Sequence, residues 1–494
     1  MSAAPLLVAR HHELGEIDAL AVHAALAAEH GAGRAFLLES GQGPSTDVRS
    51  TCVGLSGALD VTVRDGSVEL SGEPALVRPV RDALLRDDLV HATADGLRLS
   101  SPDALWRLPA ALVATVHGDG PAADAGPPVE LFTVWAYDAV RYAEHLPRPR
   151  SHAGRDVPPD AFFSVVRAVV VVDLAAGRAR LTAHEGAGWN GDDTRRLLSV
   201  VGSAGPRPEG VPGVPAPAGA VDELRREEFL ERAGRCAEHL RAGDLYQVQL
   251  GHEVRVRSAA APHDVYARLA ARNPSPYMAL FAVEGRQVVA SSPELFVRSD
   301  GRRASMRPIA GTAGGAPGPG GSLDPGDAPL RHDPKERAEH VMLVDLCRND
   351  LGRVARAGTV AVTELLAVER YSHLHHLVST VEAELRPGTD VGDLVRACFP
   401  AGTMTGAPKV EAMTVIDALE RSPRGLYAGA FGLVGRGDAA VLGLAIRMAV
   451  REGDEWSLRA SAGIVIASTA EDEWAETWLK LAATWWAVTG EEPA

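Results

Sequence analysis

The sequence predicts a mixed α/β protein, because stretches with the two-residue period of strands alternate with stretches of helical period. Residues 59–64 and 67–71 alternate apolar and polar side chains around Asp65-Gly66, which predicts a β-hairpin. Residues 222–242 form a charged, amphipathic helical pattern, and the Asp-Pro-Lys-Glu sequence at 333–336 predicts the start of another helix. The absence of a fixed-period repeat in the sequence argues against solenoids and propellers.

A stretch rich in Pro and Gly, 206–220, is the best candidate for a boundary in the 494-residue chain. It separates an N-terminal region, 1–205, from a second region, 221–490. Because 46% of the residues are hydrophobic, we expect two or more domains or one large bilobed unit. Residues 313–331 are rich in Gly, Pro and Asp, and a loop of that length is typical of a lid or binding loop.

Charge and cysteine content exclude several classes of protein. A net charge of −15 without a long basic run argues against a nucleic-acid partner. The four cysteines are scattered and form no C-x-x-C pair, so neither a zinc knuckle nor a disulfide framework is indicated. The N-terminal sequence has no apolar core of signal-peptide length, and the aliphatic run at 169–172 is too short to span a bilayer. These features predict a reduced, cytoplasmic protein.

The stretch CFPAGTMTGAPKVEAM, at 398–413, predicts a glycine-rich loop that leads into a helix with Pro408 in its first turn. Gly402 and Gly406 would let the backbone approach a ligand, Thr403 adds a hydroxyl, and a helix N-terminus favours an anion. The alternative is an ordinary loop–helix junction. A P-loop is excluded, because Gly406 is followed by Ala407 and Pro408.

Two pairs of acidic residues have the spacing that places both members on one helix face. They are Glu336 with Glu339, and Glu473 with Glu476, the latter followed four residues later by Lys480. One carboxylate from each helix could hold Mg²⁺ across a pocket. The alternatives are a capping role for Glu336 and ion pairs of Glu339 with Lys335 and of Glu476 with Lys480.

Further polar residues are candidates because of the strands that carry them. Residues 246–250 predict a strand whose polar face carries Gln247 and Gln249, opposite Tyr246, Val248 and Leu250. Arg447 lies in an apolar run that predicts a buried strand, where it needs a carboxylate from a ligand or from the protein. Tyr427 could donate a hydrogen bond or simply pack. Of the three histidines His373, His375 and His376, only those on one strand face can reach a pocket, and zinc has no supporting ligand pattern.

Several long strings together resemble the chorismate-utilising enzymes, and within them most closely the anthranilate synthase component I family. The strings are RPIAGT (307–312), DPKERAEHVMLVDLCRNDLGRV (333–354), VERYSH (368–373), FPAGTMTGAPK (399–409), RGLYAGAFG (424–432) and AGIV (462–465). The resemblance is dense over 220–488 and loose over the first 200 residues. It implies that 1–205 is a regulatory and structural region and that 221–490 is the catalytic region.

The resemblance implies a large two-layered sandwich of antiparallel sheets flanked by helices, with the active site between the sheets. It implies Mg²⁺ bound by Glu339 and Glu476 with support from Glu336 and Glu473, and a glutamic acid such as Glu336 that donates a proton to the leaving C4 hydroxyl. In the resemblance, the carboxylates of chorismate are bound by Tyr427, Arg447, Lys480 and the backbone of Ala462 and Gly463. The ring site is lined by Thr312, Gly402 and Thr403. His376 serves in pyruvate elimination.

Within this resemblance, two positions indicate which nucleophile attacks chorismate and whether it adds directly. Water-adding relatives carry a Lys where Gln247 stands, and a neutral Gln fits ammonia. Aminodeoxychorismate synthases commonly carry a Lys where Ala310 stands, so a covalent lysine intermediate is not expected. The resemblance therefore implies a lyase that adds ammonia at C2, giving 2-amino-2-deoxyisochorismate, and then eliminates pyruvate to give anthranilate. An enzyme of secondary metabolism that stops before elimination is the main alternative; an aminodeoxychorismate synthase and a non-catalytic tryptophan-binding subunit are weaker ones.

Partners and regulation are also implied by the resemblance. The sequence has no G-x-C-x-G nucleophile turn, so ammonia would come from a separate glutamine amidotransferase subunit in a hetero-oligomer, or from free ammonium. Two stretches resemble a tryptophan-feedback site, unless they only pack the sheet: Leu38, Glu39 and Ser40, and Pro276, Tyr277 and Met278. Four departures from the family's sequence pattern bear on the product and on the tuning of activity: Ser461 in place of the first Gly of GAG, Ala467 in place of Asp, Ala470 in place of Pro, and Glu411 in place of Arg.

Overall fold

The computed structural model describes residues 5–44, 46–118, 127, 129–146, 157–207, 209–314, 331–371 and 374–493. The side chains of 311–314, 335, 370–371 and 374–375 lie outside the description, as does most of the predicted binding loop at 313–331. No helix in these ranges is both long enough and apolar enough to cross a bilayer.

Ten α-helices occur in the described residues. They are α1 (Ala19–His30), α2 (Pro74–Arg86), α3 (Ala104–His117), α4 (Gly191–Ser203), α5 (Arg226–Ala242), α6 (Pro262–Arg272), α7 (Pro334–Gly352), α8 (Val391–Cys398), α9 (Lys409–Leu419) and α10 (Ala470–Thr489).

The strands of the N-terminal region are β1 (Val8–Leu14), β2 (Ala35–Glu39), β3 (Ser50–Leu55), β4 (Leu59–Arg64), β5 (Ser67–Gly72), β6 (Val90–Thr93), β7 (Gly96–Leu99), β8 (Leu131–Trp135), β9 (Ala161–Val165), β10 (Ala168–Asp173) and β11 (Arg178–Glu185). Those of the rest of the chain are β12 (Gly219–Asp222), β13 (Gln247–Arg257), β14 (Tyr277–Val283), β15 (Arg286–Ser292), β16 (Leu295–Asp300), β17 (Arg303–Arg307), β18 (Ile309–Gly314), β19 (Ala361–Tyr371), β20 (Leu374–Glu384), β21 (Gly406–Ala407), β22 (Ala430–Val434), β23 (Ala439–Leu444), β24 (Met448–Glu452) and β25 (Glu455–Ile464).

Two large antiparallel sheets form the centre of the molecule. The first has the strand order β1-β11-β10-β3-β2-β14-β15-β24-β25-β13-β12, with β21 attached to β13. The second has the order β18-β20-β17-β16-β23-β22-β8-β9-β4-β5-β7-β6, with β19 attached to β20. The N-terminal region and the second region join directly in both sheets, through the pairs β2–β14 and β8–β22. The two sequence regions therefore build the same two sheets.

Aromatic and aliphatic side chains fill the space between the sheets. Phe132 of the second sheet stacks on Phe36 of the first with ring centroids 5.2 Å apart, and meets Phe281 edge-on at the same separation. Helices α1, α4, α6 and α10 cover the outer face of the first sheet, and α2, α3, α7 and α8 cover that of the second. Helices α5 and α9 pack at the β13 end of the first sheet. The expected sandwich of antiparallel sheets flanked by helices is confirmed.

Several local predictions are also confirmed. Strands β4 and β5 form the predicted hairpin, and both turn residues, Asp65 and Gly66, have the positive φ that this turn requires. The Asp333 side chain caps α7 by accepting a hydrogen bond from the Glu336 backbone N–H at 3.1 Å. The described residues of the 206–220 stretch form no helix or strand before Gly219, where β12 begins.

Three placements differ from the sequence pattern. Tyr246 lies just before β13 and is 71% exposed, so it does not join Val248 in the core. Arg447 lies between β23 and β24 with φ of 50°, outside either strand, because the chain turns there. Pro408 precedes α9, which begins at Lys409, and so does not occupy the first helical turn.

Candidate active site

Glu294 is a buried acid in the connection between β15 and β16. Its Oε1 accepts a hydrogen bond from the Thr403 hydroxyl at 2.9 Å, and only 6% of the residue is exposed. Burial raises the pKa of Glu294 to about 8, although the Thr403 hydrogen bond and the charge of Lys480 act in the opposite direction. Glu294 is therefore protonated at neutral pH and can donate a proton. The sequence gives no signal for this residue, because one Glu after a Pro in a loop belongs to no periodic pattern.

Thr403 lies on a short 3₁₀ turn, 402–404, which two glycines allow to pack closely against its neighbours. A Cβ at Gly402 would lie 2.8 Å from Cδ1 of Leu346 in α7. A Cβ at Gly406 would lie 2.1 Å from the carbonyl oxygen of Gln247 in β13. The close neighbours of both glycines are protein atoms, so the two glycines allow the Thr403 turn to pack against α7 and β13.

Gln247 and Gln249 are both buried and point toward the same glycine of the adjacent strand, as the two-residue alternation predicted. A Cβ at Gly463 of β25 would lie 2.6 Å from Nε2 of Gln247 and 3.0 Å from Nε2 of Gln249. Among the described residues, none donates a hydrogen bond to the buried Oε1 of Gln247. That oxygen is therefore an acceptor that a ligand could satisfy.

Ser461 of β25 connects Gln249 with Tyr427. Its hydroxyl donates to Oε1 of Gln249 at 2.8 Å and lies 3.0 Å from the hydroxyl of Tyr427. Because Ser461 has one proton and gives it to Gln249, Tyr427 donates its own proton to Ser461. The phenol of Tyr427 thus has an internal partner, and only its acceptor lone pairs are left for a ligand.

Lys480 of α10 lies beside the same strand. Its ammonium donates to the carbonyl oxygen of Ser461 at 2.9 Å and pairs with Oε1 of Glu476 at 2.6 Å. This is the ion pair that the sequence offered as an alternative to a metal-ligand role for Glu476. Because Lys480 influences the titration of Glu294, the cation and the neutral acid belong to one electrostatic environment.

In the described part of the chain, the backbone of β25 near Lys480 pairs with a neighbouring strand along one of its two edges. Strand β24 pairs with β25 as far as Leu458, whereas β13 continues to Ile464. The segment that contains Ala462 and Gly463 therefore keeps one edge without a neighbouring strand. Its backbone groups on that edge can meet a ligand.

Arg447 is a cation without a carboxylate partner at ion-pairing distance in the described residues. Burial lowers the pKa of its guanidinium, and the charges of Tyr427 and Glu476 act in the opposite direction. These effects place Arg447 close to both residues. A partly buried guanidinium that lacks a bound carboxylate is suited to bind one from a ligand.

Over residues 90–485 the sequence matches the family model described as chorismate binding enzyme. This protein is a chorismate-binding enzyme. The 2-amino-4-deoxychorismate synthase of Streptomyces globisporus is 44% identical to it over 501 aligned positions, which cover 99% of this chain and 98% of the relative. The anthranilate synthase component 1 of Streptomyces coelicolor is 40% identical over 374 positions, covering 72% of each chain.

Solved structures of chorismate-binding enzymes share the fold. Anthranilate synthase component I from Streptococcus pneumoniae superposes with a TM-score of 0.69 at 24% identity, covering 88% of this chain and 92% of that one. The menaquinone-specific isochorismate synthase MenF of Escherichia coli gives a TM-score of 0.68 at 17% identity, covering 98% and 95%. At these identities the similarity shows the fold alone.

The four carboxylates expected to hold a metal in this chorismate-binding enzyme lie on two helices, Glu336 and Glu339 on α7 and Glu473 and Glu476 on α10. In the described part of the chain, no three acidic, histidine or cysteine side chains form a ready-made metal site. Mg²⁺ is commonly held by one or two carboxylates together with waters and substrate oxygens. The oxygen donors present therefore fit this ion without a complete protein cage.

Both helices border the candidate site. Leu346, seven residues after Glu339 and on the same face of α7, lies against Gly402. On α10, Glu476 lies close enough to Arg447 to affect its pKa. Glu339 and Glu476 are thus carried on helix faces turned toward the turn 402–404 and toward Arg447.

His376 lies in β20 and is 6% exposed. Its backbone is in register with Thr312 of β18 on one side and with Glu369 of β19 on the other. The side chains of Thr312 and His375 and the whole of His373 lie outside the described residues. His376 is therefore the one of the three histidines whose burial the structure describes.

A separate cavity of about 1120 Å³ opens between the sheets near the β2–β14 junction. All residues of the predicted tryptophan site line it: Leu38, Glu39, Ser40, Pro276, Tyr277 and Met278. The Tyr277 hydroxyl donates to Oδ1 of Asp47 at 2.8 Å, and the Tyr266 hydroxyl donates to Oε2 of Glu39 at 2.5 Å. The two stretches that are far apart in sequence therefore share one cavity.

Proposed function

We propose that this enzyme adds ammonia to C2 of chorismate with loss of the C4 hydroxyl, and releases the product with its pyruvyl ether intact. The observation that carries the proposal is the neutral, buried carboxylic acid of Glu294 beside the cations of the site. Loss of a hydroxyl requires a proton donor, and Glu294, with a pKa of about 8, remains protonated at neutral pH. Glu336, the acid expected from the family resemblance, is only partly buried in the first turn of α7.

The two cations of the site match the two carboxylates of chorismate. Arg447 has no ion-pair partner in the described residues, and Lys480 has one, Glu476. The guanidinium can bind one substrate carboxylate through two parallel hydrogen bonds. The one-sided edge of β25 at 462–463 and the lone pairs of Tyr427 complete the polar surface around the substrate.

The nucleophile is neutral in this proposal. Gln247 cannot act as a base for water, but its buried Oε1 can accept a hydrogen bond from ammonia and orient it. As the bond from nitrogen to C2 forms, the ring double bonds shift and the C4–O bond breaks. Glu294 gives its proton to the departing oxygen, which leaves as water, and the new ammonium group releases one proton to solvent. Mg²⁺ held by Glu339 and Glu476, with Glu336 and Glu473 nearby, would neutralise the ring carboxylate.

Similarity along the whole chain favours release of the aminated compound. The compound named for the Streptomyces globisporus relative carries an amino group at C2, lacks the C4 oxygen and keeps the pyruvyl ether. It is the same compound as 2-amino-2-deoxyisochorismate. The similarity to that relative covers 99% of this chain, compared with 72% for the anthranilate synthase component of Streptomyces coelicolor. Anthranilate is the second candidate product, favoured by the buried His376 in the position that the family resemblance assigns to pyruvate elimination.

Incubation of the purified protein with chorismate, Mg²⁺ and ammonium distinguishes these products. We expect a non-fluorescent compound with the mass of aminated chorismate that has lost water and kept its pyruvyl group. Fluorescent anthranilate together with an equal amount of pyruvate would establish the second candidate instead. If neither product forms, the protein does not catalyse C2 amination.

Substitution of Arg447→Leu tests the substrate-binding part of the proposal. We expect kcat/KM for chorismate to fall about a hundredfold, because a charge-assisted, bidentate contact is lost. The melting temperature should not fall, since the substitution removes a partly buried charge that has no partner. An unchanged kcat/KM would exclude Arg447 as a carboxylate-binding residue.

We also propose two partners outside the reaction itself. Ammonia is supplied by a separate glutamine amidotransferase subunit, because the chain carries no glutaminase motif of its own. Tryptophan, as a feedback inhibitor, is the proposed ligand of the cavity lined by Ser40 and Met278. Titration of tryptophan into the protein and into a Ser40→Phe variant tests the second proposal, which requires binding to the first and much weaker binding to the second.

A further inference from the structure

We infer that Arg424 is a positioning residue, which holds the Thr403 turn and β13 in the relative arrangement that the reaction needs. This inference rests on the proposed function. Arg424 lies outside the candidate active site and would touch neither substrate nor metal. Its effect would pass through the two backbone segments that carry Thr403 and Gln249.

The guanidinium of Arg424 connects these two segments directly. Nη1 donates to the carbonyl oxygen of Met404 at 2.5 Å, one residue from Thr403. Nη2 donates to the carbonyl oxygen of Gln249 at 3.4 Å. A third hydrogen bond joins the two segments without Arg424: the backbone N–H of Gln249 donates to the carbonyl oxygen of Thr405 at 2.8 Å. The turn and the strand are thus joined both by the backbone and by Arg424.

Glu420 fixes the guanidinium of Arg424 in this orientation. Its carboxylate accepts from Nε of Arg424 at 3.0 Å and from Nη2 at 2.8 Å, which is a bidentate contact between two almost fully buried side chains. Glu420 is itself tied to β13, since it accepts from the backbone N–H of Gly251 at 3.0 Å. The ring of Tyr137 lies 4.8 Å from Cζ of Arg424 and supports the planar group from one side.

Only an arginine can make these contacts together. The bidentate contact to Glu420 and the donation to the Met404 carbonyl use different edges of one rigid, planar group. A lysine ammonium can keep the charge and approach Glu420, but its compact head cannot span the carboxylate and both carbonyl oxygens. Without simultaneous contacts to both carbonyl oxygens, the Thr403 turn can move relative to β13. A displacement of about 1 Å in a catalytic geometry can lower a rate about a hundredfold.

Arg459 provides a matched control in the same buried cluster. It pairs with the same carboxylate, Nη2 to Oε2 of Glu420 at 2.8 Å, and is 5% exposed. Its guanidinium also donates to the hydroxyl and carbonyl oxygen of Ser422 and to the carbonyl oxygen of Pro423. None of these atoms belongs to a residue placed at the active site. Arg459→Lys should therefore weaken the cluster without releasing the Thr403 turn.

The experiment compares Arg424→Lys and Arg459→Lys in the full-length enzyme, with ammonium as the nitrogen source. Melting temperature, kcat, KM for chorismate and the pH dependence of kcat are measured for both. We expect similar decreases in melting temperature. Only Arg424→Lys should lower kcat, about tenfold or more, with a smaller change in KM. In that variant the alkaline fall of kcat should move to higher pH, because the Thr403 hydrogen bond that stabilises ionised Glu294 is weakened.

The inference is wrong if Arg424→Lys keeps the wild-type kcat and pH profile, or if both variants lose activity to the same extent. If Arg424→Lys does not fold, Tyr137→Leu decides, because it removes the supporting ring and leaves the ion pair intact. That variant should show a smaller decrease in kcat and the same direction of pH shift, and a wild-type profile would refute the inference. A wild-type enzyme that does not aminate chorismate would instead remove the proposed function, and this distinguishes the two failures.

Discussion

Glu294 and Glu420 are two buried carboxyl groups of one molecule with opposite electrostatic behaviour. Glu294 accepts a side-chain hydrogen bond from the neutral hydroxyl of Thr403, and burial raises its pKa to about 8. Glu420 faces two arginines and a backbone N–H, and although burial alone would raise its pKa, Arg424 and Arg459 hold it below the ordinary value. Burial without a cation in contact gives a proton donor, and burial with two cations gives a fixed anion. The first arrangement is suited to chemistry and the second to holding the fold.

Among the variants that test this difference between Glu294 and Glu420, Glu294→Gln should have the largest effect, which is on kcat. The amide keeps the shape and can bond to Thr403, but it cannot give up a proton, so kcat should fall about a thousandfold, or ~4 kcal/mol. Any residual rate should no longer decrease as pH rises through about 8. Steady-state kinetics measured between pH 6 and pH 10, on both sides of the pKa of about 8, check both points. An activity within tenfold of wild type would assign the proton to another group.

A smaller effect, on stability and not on chemistry, is expected from Glu420→Gln. The two guanidinium groups would remain buried with a neutral partner, and the free energy of unfolding should fall by about 3 kcal/mol. Chemical denaturation followed by circular dichroism measures this change. Glu294→Gln is the matched control, because that substitution replaces a neutral acid with a neutral amide and should not lower the unfolding free energy. Equal losses in the two variants would contradict the assignment of Glu420 as a fixed anion and Glu294 as a neutral acid.

The smallest expected effect, taken per pH unit, is the pH dependence of stability that Glu294 contributes. Its pKa is raised in the folded protein, from 4.5 to about 8, so the unfolded chain loses its proton first. The stabilising contribution of Glu294 is therefore complete below pH 4.5 and is lost as pH rises toward about 8, by roughly 1.4 kcal/mol per pH unit. Unfolding free energies of wild type and Glu294→Gln measured across this range should differ in slope by that amount. Parallel curves would show that Glu294 is not neutral in the folded protein.

Local patterns predicted much of the fold because the physics behind them is local. The hairpin of β4 and β5 follows from period-two alternation around a turn that needs positive φ, and the start of α7 follows from an Asp that caps it. The division of the chain at 206–220 was a statement about composition. Pairing of β2 with β14 and of β8 with β22 depends on contacts across hundreds of residues, which composition does not encode.

The candidate site was predicted in part, and the missing part has a physical reason. Gln247 and Gln249 share one side of a strand, which alternation reveals, and Lys480 follows Glu476 by one helical turn, which spacing reveals. Glu294 is important because of its burial, and burial of a single loop residue is visible only when the chain is folded. Arg447 was expected inside a strand because its neighbours are apolar, but the chain turns at that point, and the apolar neighbours belong to two strands.

The joining of both sequence regions in each sheet has a consequence for the intact chain. Cutting near 206–220 would leave β14 and β22 with unpaired backbone edges more than four residues long, which are templates for self-association. Neither fragment would be a working half, and the activity could not be transferred by fusing residues 221–490 to another protein. Synthesis must also reach residue 434 before β8 finds its partner β22, so the nascent chain carries an incomplete sheet over most of its production.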